Sequence, residues 1–379
     1  MTVTLHWFLP TNGDSRADLS LGNAAGAHGA RVELGDGGER PPTIEYIGQI
    51  ARSAEELGFE GALTPTSSWC EDAWLMTAAL SQVTRSFKYL VAFRPGFQSP
   101  LLAAQMAATF QRISGGRLLI NIVVGGDQVE QLRYGDRATK EERYARGAEF
   151  LQILRELWTG EEVDFEGRHL SVEGAKLLDP PAWPDVYLGG SSSGAIDVAA
   201  ELAEVYLTWG EPPDAVAAKL DLVRAAAERR GRELRFGIRL HVIARETATE
   251  AWAVAQRLLD GLDPAAIAAA QAVQRSSESE GQRRMSDLHN GSTASLEVAP
   301  NLWAGIGLVR GGAGTALVGS HEEVAERIAE YHELGIDEFI LSGYPHLEEA
   351  YQVGEGVIPA LTDLGLLPPR AAALTSAAV

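Results

Sequence analysis

The sequence predicts an α/β fold, a closed (β/α)8 TIM barrel that carries long insertions. Three observations predict it: short β-like runs alternate with amphipathic helical stretches, there are eight such runs, and polar residues follow several of them. Alternating strands and helices indicate a parallel sheet. Eight repeats favour a closed barrel over an open doubly wound sheet, and active sites of such barrels lie at the carboxyl ends of the strands.

The strands are predicted from runs rich in aliphatic, β-branched and aromatic residues, at 2–10, 61–66, 87–95, 118–126, 185–190, 204–210, 236–245 and 338–345. Helices are predicted at 43–57, 71–83, 99–112, 141–158, 213–229 and 322–334, because their apolar positions lie three and four residues apart. Several strands end in polar or aromatic residues, and we expect these ends to converge on one mouth.

The domain prediction is a single barrel domain over 1–366, followed by a C-terminal arm at 367–379. Two segments depart from the alternation: a glycine-rich excursion at 11–41 after the first strand, and an insertion at 246–320 before the last strand. The insertion ends in the glycine-rich stretch 308–320, and long loops of this composition are typical of lids. Because Arg310 lies at its start, we expect a lid that brings a cation to the site.

Composition excludes several classes of function. The 379 residues carry 32 Lys and Arg against 52 Asp and Glu, a net charge of -20, which argues against nucleic acid or an anionic membrane as partner. No apolar run is long enough to span a bilayer and no signal-peptide pattern is present, so we expect a cytoplasmic protein. A single cysteine and the absence of zinc-site spacing predict no disulfide and no metal.

The strand 236–245 carries two residues that do not suit a plain core. Arg239 and His241 are two positions apart, so they share one face of the strand. A structural ion pair or buried network explains them as well as a ligand site does. Trp209 and Tyr344 at neighbouring strand ends favour the ligand site, since a guanidinium, an imidazole, an indole and a phenol together suit an anionic head group.

The glycine-rich motifs are weaker signals. The stretch 187–194, YLGGSSSG, offers backbone N–H groups and hydroxyls to an anion at a helix start, although serine capping is an equally simple reading. The stretch GGAGTALVGS is neither a P-loop, because Ser320 replaces the lysine, nor a dinucleotide fingerprint, because Leu317 replaces the last glycine. Cys70 has no adjacent general base and is better read as a buried thiol or ligand contact than as a nucleophile.

The chain resembles the two-component, reduced-flavin-dependent alkanesulfonate monooxygenases of the bacterial-luciferase-like superfamily over most of residues 1–366. The resemblance rests on blocks in order, among them WFLPT, CEDAW, YLGGSS, YLTWGEPP, RFGIRLHVIARET, NLWAGIGLVRGGAGTALVG and LSGYPHLEEAY. It implies a homotetrameric barrel that uses FMNH2 and O2 to convert an alkanesulfonate into an aldehyde and sulfite through a C4a-peroxyflavin. It also implies a separate NAD(P)H-dependent FMN reductase, in agreement with the missing nicotinamide motif.

The resemblance assigns the site residues. Its implied catalytic set is Arg239, His241, Arg310, Tyr344 and Cys70, with Trp209, Arg239 and Arg310 binding substrate. Its implied flavin contacts are Asn121, Tyr144, Ser191 and Ser192, with Cys70 near the ring. Three departures from the family's usual pattern, Asn12, Lys140 and the long segment 20–41, point to a changed pocket entrance and a changed preference for the length of the sulfonate.

Other functions remain open at this point. Within the superfamily, the alternatives are a monooxygenase for sulfones, aminopolycarboxylates or alkanes, or a deazaflavin-dependent dehydrogenase. A non-catalytic flavin-binding barrel is a different class. A metal-dependent barrel hydrolase is disfavoured, since the strand ends lack a cluster of histidines and carboxylates.

Overall fold

The computed structural model describes residues 2–16, 19 and 39–369. Its strands are β1 (Thr4–Phe8), β2 (Gly61–Thr64), β3 (Lys88–Phe93), β4 (Leu118–Ile122), β5 (Val163–Glu166), β6 (Ser171–Ala175), β7 (Val186–Gly189), β8 (Val205–Trp209), β9 (Arg235–Arg245), β10 (Glu297–Ala299), β11 (Leu302–Trp303), β12 (Ala316–Ser320) and β13 (Glu338–Ser342). Eight of them, in the order β1-β2-β3-β4-β7-β8-β9-β13, pair in parallel and close on β1. The predicted (β/α)8 barrel is confirmed. Seven of its strands fall within predicted runs, and β9 begins one residue before its run, at Arg235.

The helices are α1 (Ile44–Leu57), α2 (Ala73–Leu80), α3 (Pro100–Ser114), α4 (Gln128–Arg133), α5 (Lys140–Leu157), α6 (Ser193–Leu202), α7 (Pro213–Glu228), α8 (Ala248–Asp260), α9 (Pro264–Arg275), α10 (Glu280–Asp287), α11 (His321–Glu333), α12 (His346–Gln352) and α13 (Ile358–Asp363). The six predicted helices correspond to α1, α2, α3, α5, α7 and α11. Their starts follow from side-chain caps. Thr43, Ser99 and Thr139 each accept a hydrogen bond from a first-turn backbone N–H group. The caps therefore place these helix starts within one or two residues of the prediction.

The strand β9 joins the barrel to the insertion. It has eleven residues against five in β8, so its first half pairs with β8 and its second half with β12. Beyond β12 the sheet extends further: β11 pairs antiparallel with β12, and β10 pairs antiparallel with β11. The prediction of one glycine-rich loop over 308–320 is therefore wrong in extent. Residues 316–320 form a buried strand, and 305–308 form a 3-10 helix.

The insertion contributes helices as well as these strands. Helices α8, α9 and α10 follow β9, and α9 and α10 lie against the 3-10 helix at Gly305–Leu308. The amides of Gln271 and Gln274 on α9 donate to the carbonyls of Gly307 and Leu308. These contacts fix the segment that leads to Arg310.

Two predicted segments lie largely outside the described residues: the excursion at 20–41, of which 39–41 are described, and the arm at 367–379, of which 367–369 are described. Within the described ranges, no helix is long and apolar enough to cross a membrane.

A buried carboxylate stabilises the amino-terminal end of the barrel strands, opposite the mouth. Glu338 accepts hydrogen bonds from Tyr187 at 2.5 Å and from Arg235 at 2.6 Å, and its other neighbour is His6 at 3.2 Å. Burial by itself would raise the pKa of Glu338, but the hydrogen bonds from His6 and Tyr187 and the charge of Arg235 hold the pKa below its usual value. The four residues link β1, β7, β9 and β13.

We expect Glu338→Gln to lower the free energy of unfolding by about 2–3 kcal/mol at neutral pH, because a charge-assisted acceptor is removed while its neighbours His6 and Tyr187 stay buried. A folded-state pKa below the unfolded one contributes stability above the unfolded pKa, and this contribution is lost as the pH falls through the folded pKa. Urea unfolding of the parent protein and of Glu338→Gln measures this effect. The difference between their free energies of unfolding should become smaller as the pH is lowered into the acid range. Glu333→Gln, at an exposed position of α11, is the control, and an equal loss in both variants would contradict the assignment.

Candidate active site at the carboxyl ends of the strands

A cavity of about 330 Å³ lies at the carboxyl ends of β4, β7 and β8. Asn121 reaches it from β4 and Trp209 from the end of β8. Its roof comes from the insertion, through residues 273–285 of α9, α10 and the loop between them, together with Gly311 and Gly312. The cavity therefore lies where a TIM barrel carries its active site.

The serine loop after β7, residues 189–192, forms one wall of this cavity. Ser192 caps α6 through a hydrogen bond from the N–H group of Ala195, and the phenol of Tyr144 on α5 hydrogen-bonds to Ser192. Gly190 has φ 142°, and a Cβ there would lie 2.6 Å from Ala195 Cβ and 2.9 Å from Tyr144 Oη. Only glycine fits that approach. The wall offers hydroxyls and the amino end of a ten-residue helix to an anion.

Lys140 brings a cation to the same cavity. It begins α5, and its Nζ donates to the carbonyl of Glu278 in the insertion at 3.1 Å. The predicted flavin contacts Asn121, Tyr144, Ser191 and Ser192 thus line one cavity, and Trp209 lines it with them. Lys140, which the sequence analysis noted only as a departure from the family pattern, belongs to this group.

Ion pairs hold the roof onto the barrel, and the sequence analysis missed them. Glu211, just after β8, accepts from Lys219 of α7 and from Arg284 of α10, each at 2.5 Å. Burial lowers the pKa of Lys219, and the charge of Glu211 opposes this shift. A second pair joins Arg143 of α5 to Glu278 at 2.9 Å. The guanidinium of Arg143 is buried beneath the insertion.

The remaining predicted residues form a second group beside this cavity, which we call the arginine cluster: Arg239, His241, Arg310 and Tyr344. The guanidinium of Arg310 donates to the hydroxyl of Tyr344. Both guanidiniums lie over the ring of Phe8, Arg239 at 4.5 Å and Arg310 at 5.4 Å from its centroid. The imidazole of His241 stacks on Tyr344, with centroids 5.5 Å apart. The cluster therefore joins β1, β9 and β13 to the insertion.

A chain of hydrogen bonds fixes the tautomer of His241. Nη1 of Arg239 donates to the hydroxyl of Ser342 at 2.9 Å, and this hydroxyl lies 2.8 Å from Nδ1 of His241. Nε2 lies 3.1 Å from the carbonyl of Ala313, which can only accept, so the ring proton is on Nε2. Burial, with the charges of Arg310 and Arg239, holds the pKa of His241 well below its usual range. His241 is therefore neutral.

Within the described ranges, no carboxylate balances the charge of the two arginines. Among the described residues, neither Arg239 nor Arg310 has a carboxylate oxygen within 4.0 Å, and Nη2 of Arg239 and Nε of Arg310 are buried without a hydrogen-bond partner. Burial lowers the pKa of Arg239, and the charge of Arg310 lowers it further. Arginine nevertheless stays protonated in proteins, so an anion is the natural partner of this cluster.

Cys70 lies near the arginine cluster. Its thiol accepts a hydrogen bond from Ser67 at 3.1 Å, and Arg310 is close enough to affect its ionisation. Burial raises the pKa of the Cys70 thiol. A protonated thiol is a poor nucleophile. Cys70 is not among the residues that line the cavity.

The register of the sheet joins the cavity to the arginine cluster. Trp209, on the cavity wall, is the direct neighbour of Arg239 in the pairing of β8 with β9. Arg310 is followed at once by Gly311 and Gly312 of the cavity roof. Apart from Cys70, which belongs to neither, the predicted site residues form two adjoining groups. The structure adds Phe8 and Ser342, which no sequence signal marks.

The architecture is that of a TIM-barrel protein with its cavity at the catalytic end of the strands. The profile of the luciferase-like monooxygenase family matches residues 20–338. The chain belongs to this family.

Solved structures share the fold over nearly the whole chain. The long-chain alkane monooxygenase LadA has a TM-score of 0.77 and 18% identity, covering 97% of this chain and 92% of LadA. The EDTA monooxygenase EmoA from Chelativorans sp. BNC1 has a TM-score of 0.72 and 19% identity, covering 97% and 95%. Riboflavin lyase RcaE, solved with a modified FMN and riboflavin, has a TM-score of 0.78 and 18% identity, covering 97% and 92%. At such identities the likeness is one of fold.

Proposed function

We propose that the protein is an FMNH2- and O2-dependent monooxygenase that converts an alkanesulfonate into an aldehyde and sulfite, with reduced FMN supplied by a separate NAD(P)H-dependent reductase. The observation that carries the proposal is the arginine cluster, in which neither guanidinium has a carboxylate partner among the described residues. Membership of the luciferase-like family supports the oxygenase chemistry. We also propose that the protein assembles as a homotetramer, a proposal that the family resemblance alone supports.

The cavity fits a flavin mononucleotide. Ser191, Ser192 and Tyr144 would hold the phosphate at the start of α6, with Lys140 as a cation, and Asn121 would lie nearer the ring. When bound, reduced flavin supplies the electrons that activate O2. The described residues contain no cluster of three or more histidines, cysteines or carboxylates placed to hold a metal ion.

The arginine cluster would bind the sulfonate. Arg239 and Arg310 neutralise its charge, which lowers the repulsion felt by any anionic oxidant that approaches sulfur. The hydroxyl of Tyr344, fixed on Arg310, supplies a further polar contact. Both nitrogens of His241 are engaged by Ser342 and Ala313, so in this arrangement the ring orients Arg239 through Ser342. Cys70 would be a polar neighbour of the reacting groups.

The insertion would exclude water. Residues 273–285 roof the cavity, and the N–H group of Gly312 donates to Gln282 of that roof at 2.8 Å. Because Arg310 lies two residues before Gly312, a movement of the roof changes the position of one substrate-binding cation. Substrate binding and closure of the cavity are thereby coupled.

The arginine cluster also separates the alternatives. A monooxygenase for neutral alkanes or sulfones needs an apolar or neutral polar lining, and two uncompensated guanidiniums would oppose it. An aminopolycarboxylate is anionic and is the second candidate. A non-catalytic flavin-binding barrel would bind FMN and form no product.

The proposal is tested by measuring sulfite release from alkanesulfonates of graded length, with FMN, NADH, O2 and an unrelated flavin reductase, with and without this protein. Protein-dependent sulfite from one range of chain lengths is expected. If only peroxide forms with every sulfonate while an aminopolycarboxylate is consumed, the second candidate replaces the first.

We expect Arg310→Ala to reduce sulfite release at least 100-fold while FMN affinity changes less than about threefold, because a charge-paired contact to substrate is worth about 3 kcal/mol. Flavin oxidation should continue and produce hydrogen peroxide instead of sulfite. Arg283→Ala, exposed on α10, is the matched control. Unchanged coupling of NADH consumption to sulfite in Arg310→Ala would rule out its role.

We expect Ser191→Ala with Ser192→Ala to weaken reduced FMN binding by roughly 10- to 100-fold, since each hydroxyl donates to a charged phosphate. Anaerobic fluorescence titration measures the affinity. Ser192 also caps α6, so the single change Ser191→Ala separates phosphate contact from helix stability. Ser193→Ala, at an exposed position outside the cavity lining, serves as the control. Unchanged affinity in the double variant would place the phosphate elsewhere.

A further inference from the structure

The ring of Tyr344 packs between two imidazoles, only one of which the sequence analysis had noticed. His241 stacks on it at 18°, and His346 meets it edge-on at 75°, with centroids 5.1 Å apart. The ring of His346 also lies 5.6 Å from that of Phe8, the ring beneath the two guanidiniums. His346 therefore contacts both aromatic walls of the arginine cluster.

A buried carboxylate orients His346. Oδ1 of Asp14 accepts from Nδ1 of His346 at 2.9 Å, and Oδ2 accepts from the backbone N–H group of His346 at 2.8 Å. Oδ2 also accepts from the hydroxyl of Tyr46 on α1 at 2.5 Å. Asp14 is fully buried and His346 is 1% exposed. A residue of the first strand-to-helix loop thus fixes a ring that lies 332 positions away in the chain.

The tether to Asp14 is the only hydrogen bond that the ring of His346 makes among the described residues. Its Nε2 is buried without a partner, whereas both nitrogens of His241 are engaged. A buried polar atom left unpaired has a free-energy cost. Because a single hydrogen bond fixes the ring of His346, loss of the Asp14 carboxylate would leave this ring free to reorient.

We propose that Asp14 and His346 are positioning residues of the anion site: Asp14 fixes the imidazole of His346, and this ring holds Tyr344 in place to keep its hydroxyl on Arg310. The inference rests on the proposed function, since it concerns the same anion site. It assigns a role to the loop that follows β1, where Asp14 also exchanges backbone hydrogen bonds with Arg40.

The test is a double-mutant cycle on ligand binding. Calorimetry gives the affinity of the flavin-free protein for octane-1-sulfonate in Tyr344→Phe, His346→Phe and the combination. We expect about a tenfold loss in each single variant and about the same tenfold loss in the combination, because residues that act through one another are not additive. A loss near 100-fold in the combination would overturn the proposal, as would unchanged affinity in His346→Phe.

Comparing His346→Phe with one further variant, Asp14→Asn, separates positioning from packing. His346→Phe keeps a ring but loses the tether, while Asp14→Asn keeps the ring of His346 and removes the charge that orients it. Both should weaken sulfonate binding, with FMN affinity near that of the parent. His332→Phe is the control. His332 lies on α11, and its imidazole hydrogen-bonds to the carbonyl of Ile336 and not to a residue of the arginine cluster. Full affinity in both site variants would show that His346 only fills space.

The same double-mutant cycle is measured with octanoate and with octyl phosphate. These ligands separate the proposal that the site binds a sulfonate from the proposal that His346 positions Tyr344. If the parent protein binds one of these anions and no sulfonate, the sulfonate assignment fails. The coupling between Tyr344 and His346 is then read from the anion that binds, and non-additive losses there still support the positioning role.

Discussion

The carboxyl end of this barrel is organised around two guanidiniums, Arg239 and Arg310, that have no carboxylate partner among the described residues. A buried charge is costly unless other groups solvate it. For Arg239 and Arg310 the protein supplies the face of Phe8, the hydroxyls of Tyr344 and Ser342, and the carbonyl of Leu240. These contacts stabilise the cations without neutralising them, so the positive charge stays available to a ligand.

That arrangement explains the length of β9. Arg239 pairs with β8, on the cavity side, whereas residues from His241 onward pair with β12 of the insertion. One continuous strand therefore carries the anion-binding group, the neutral imidazole that orients it and the attachment of the roof. A shift of β12 along β9 would move Ala313 away from His241, so the roof and the arginine cluster cannot be rearranged independently.

The sequence is sufficient to predict the barrel, because each barrel strand is a short apolar run between amphipathic helices and side-chain caps mark helix starts such as Thr43 and Ser99. The arginine cluster is also predictable from the sequence, since Arg239 and His241 share a strand face, Tyr344 follows a predicted strand and Arg310 begins the glycine-rich stretch. The remaining features depend on contacts between distant segments. The buried group of Glu211, Lys219 and Arg284 resembles ordinary surface charge in the sequence, and the register that brings β12 to β9 leaves no local pattern.

The same reasoning explains why His346 escaped notice while His241 did not. His241 lies inside an apolar strand, where any polar residue stands out. His346 begins the short helix α12, a position where polar residues are ordinary, and its partner Asp14 follows β1 in a loop rich in turn-forming residues. Asp14 and His346 come into contact because the barrel closes: β13 pairs with β1, and this pairing brings the loops that follow the two strands together. In a closed barrel the first and last loops are neighbours, so their polar residues are best read as one set.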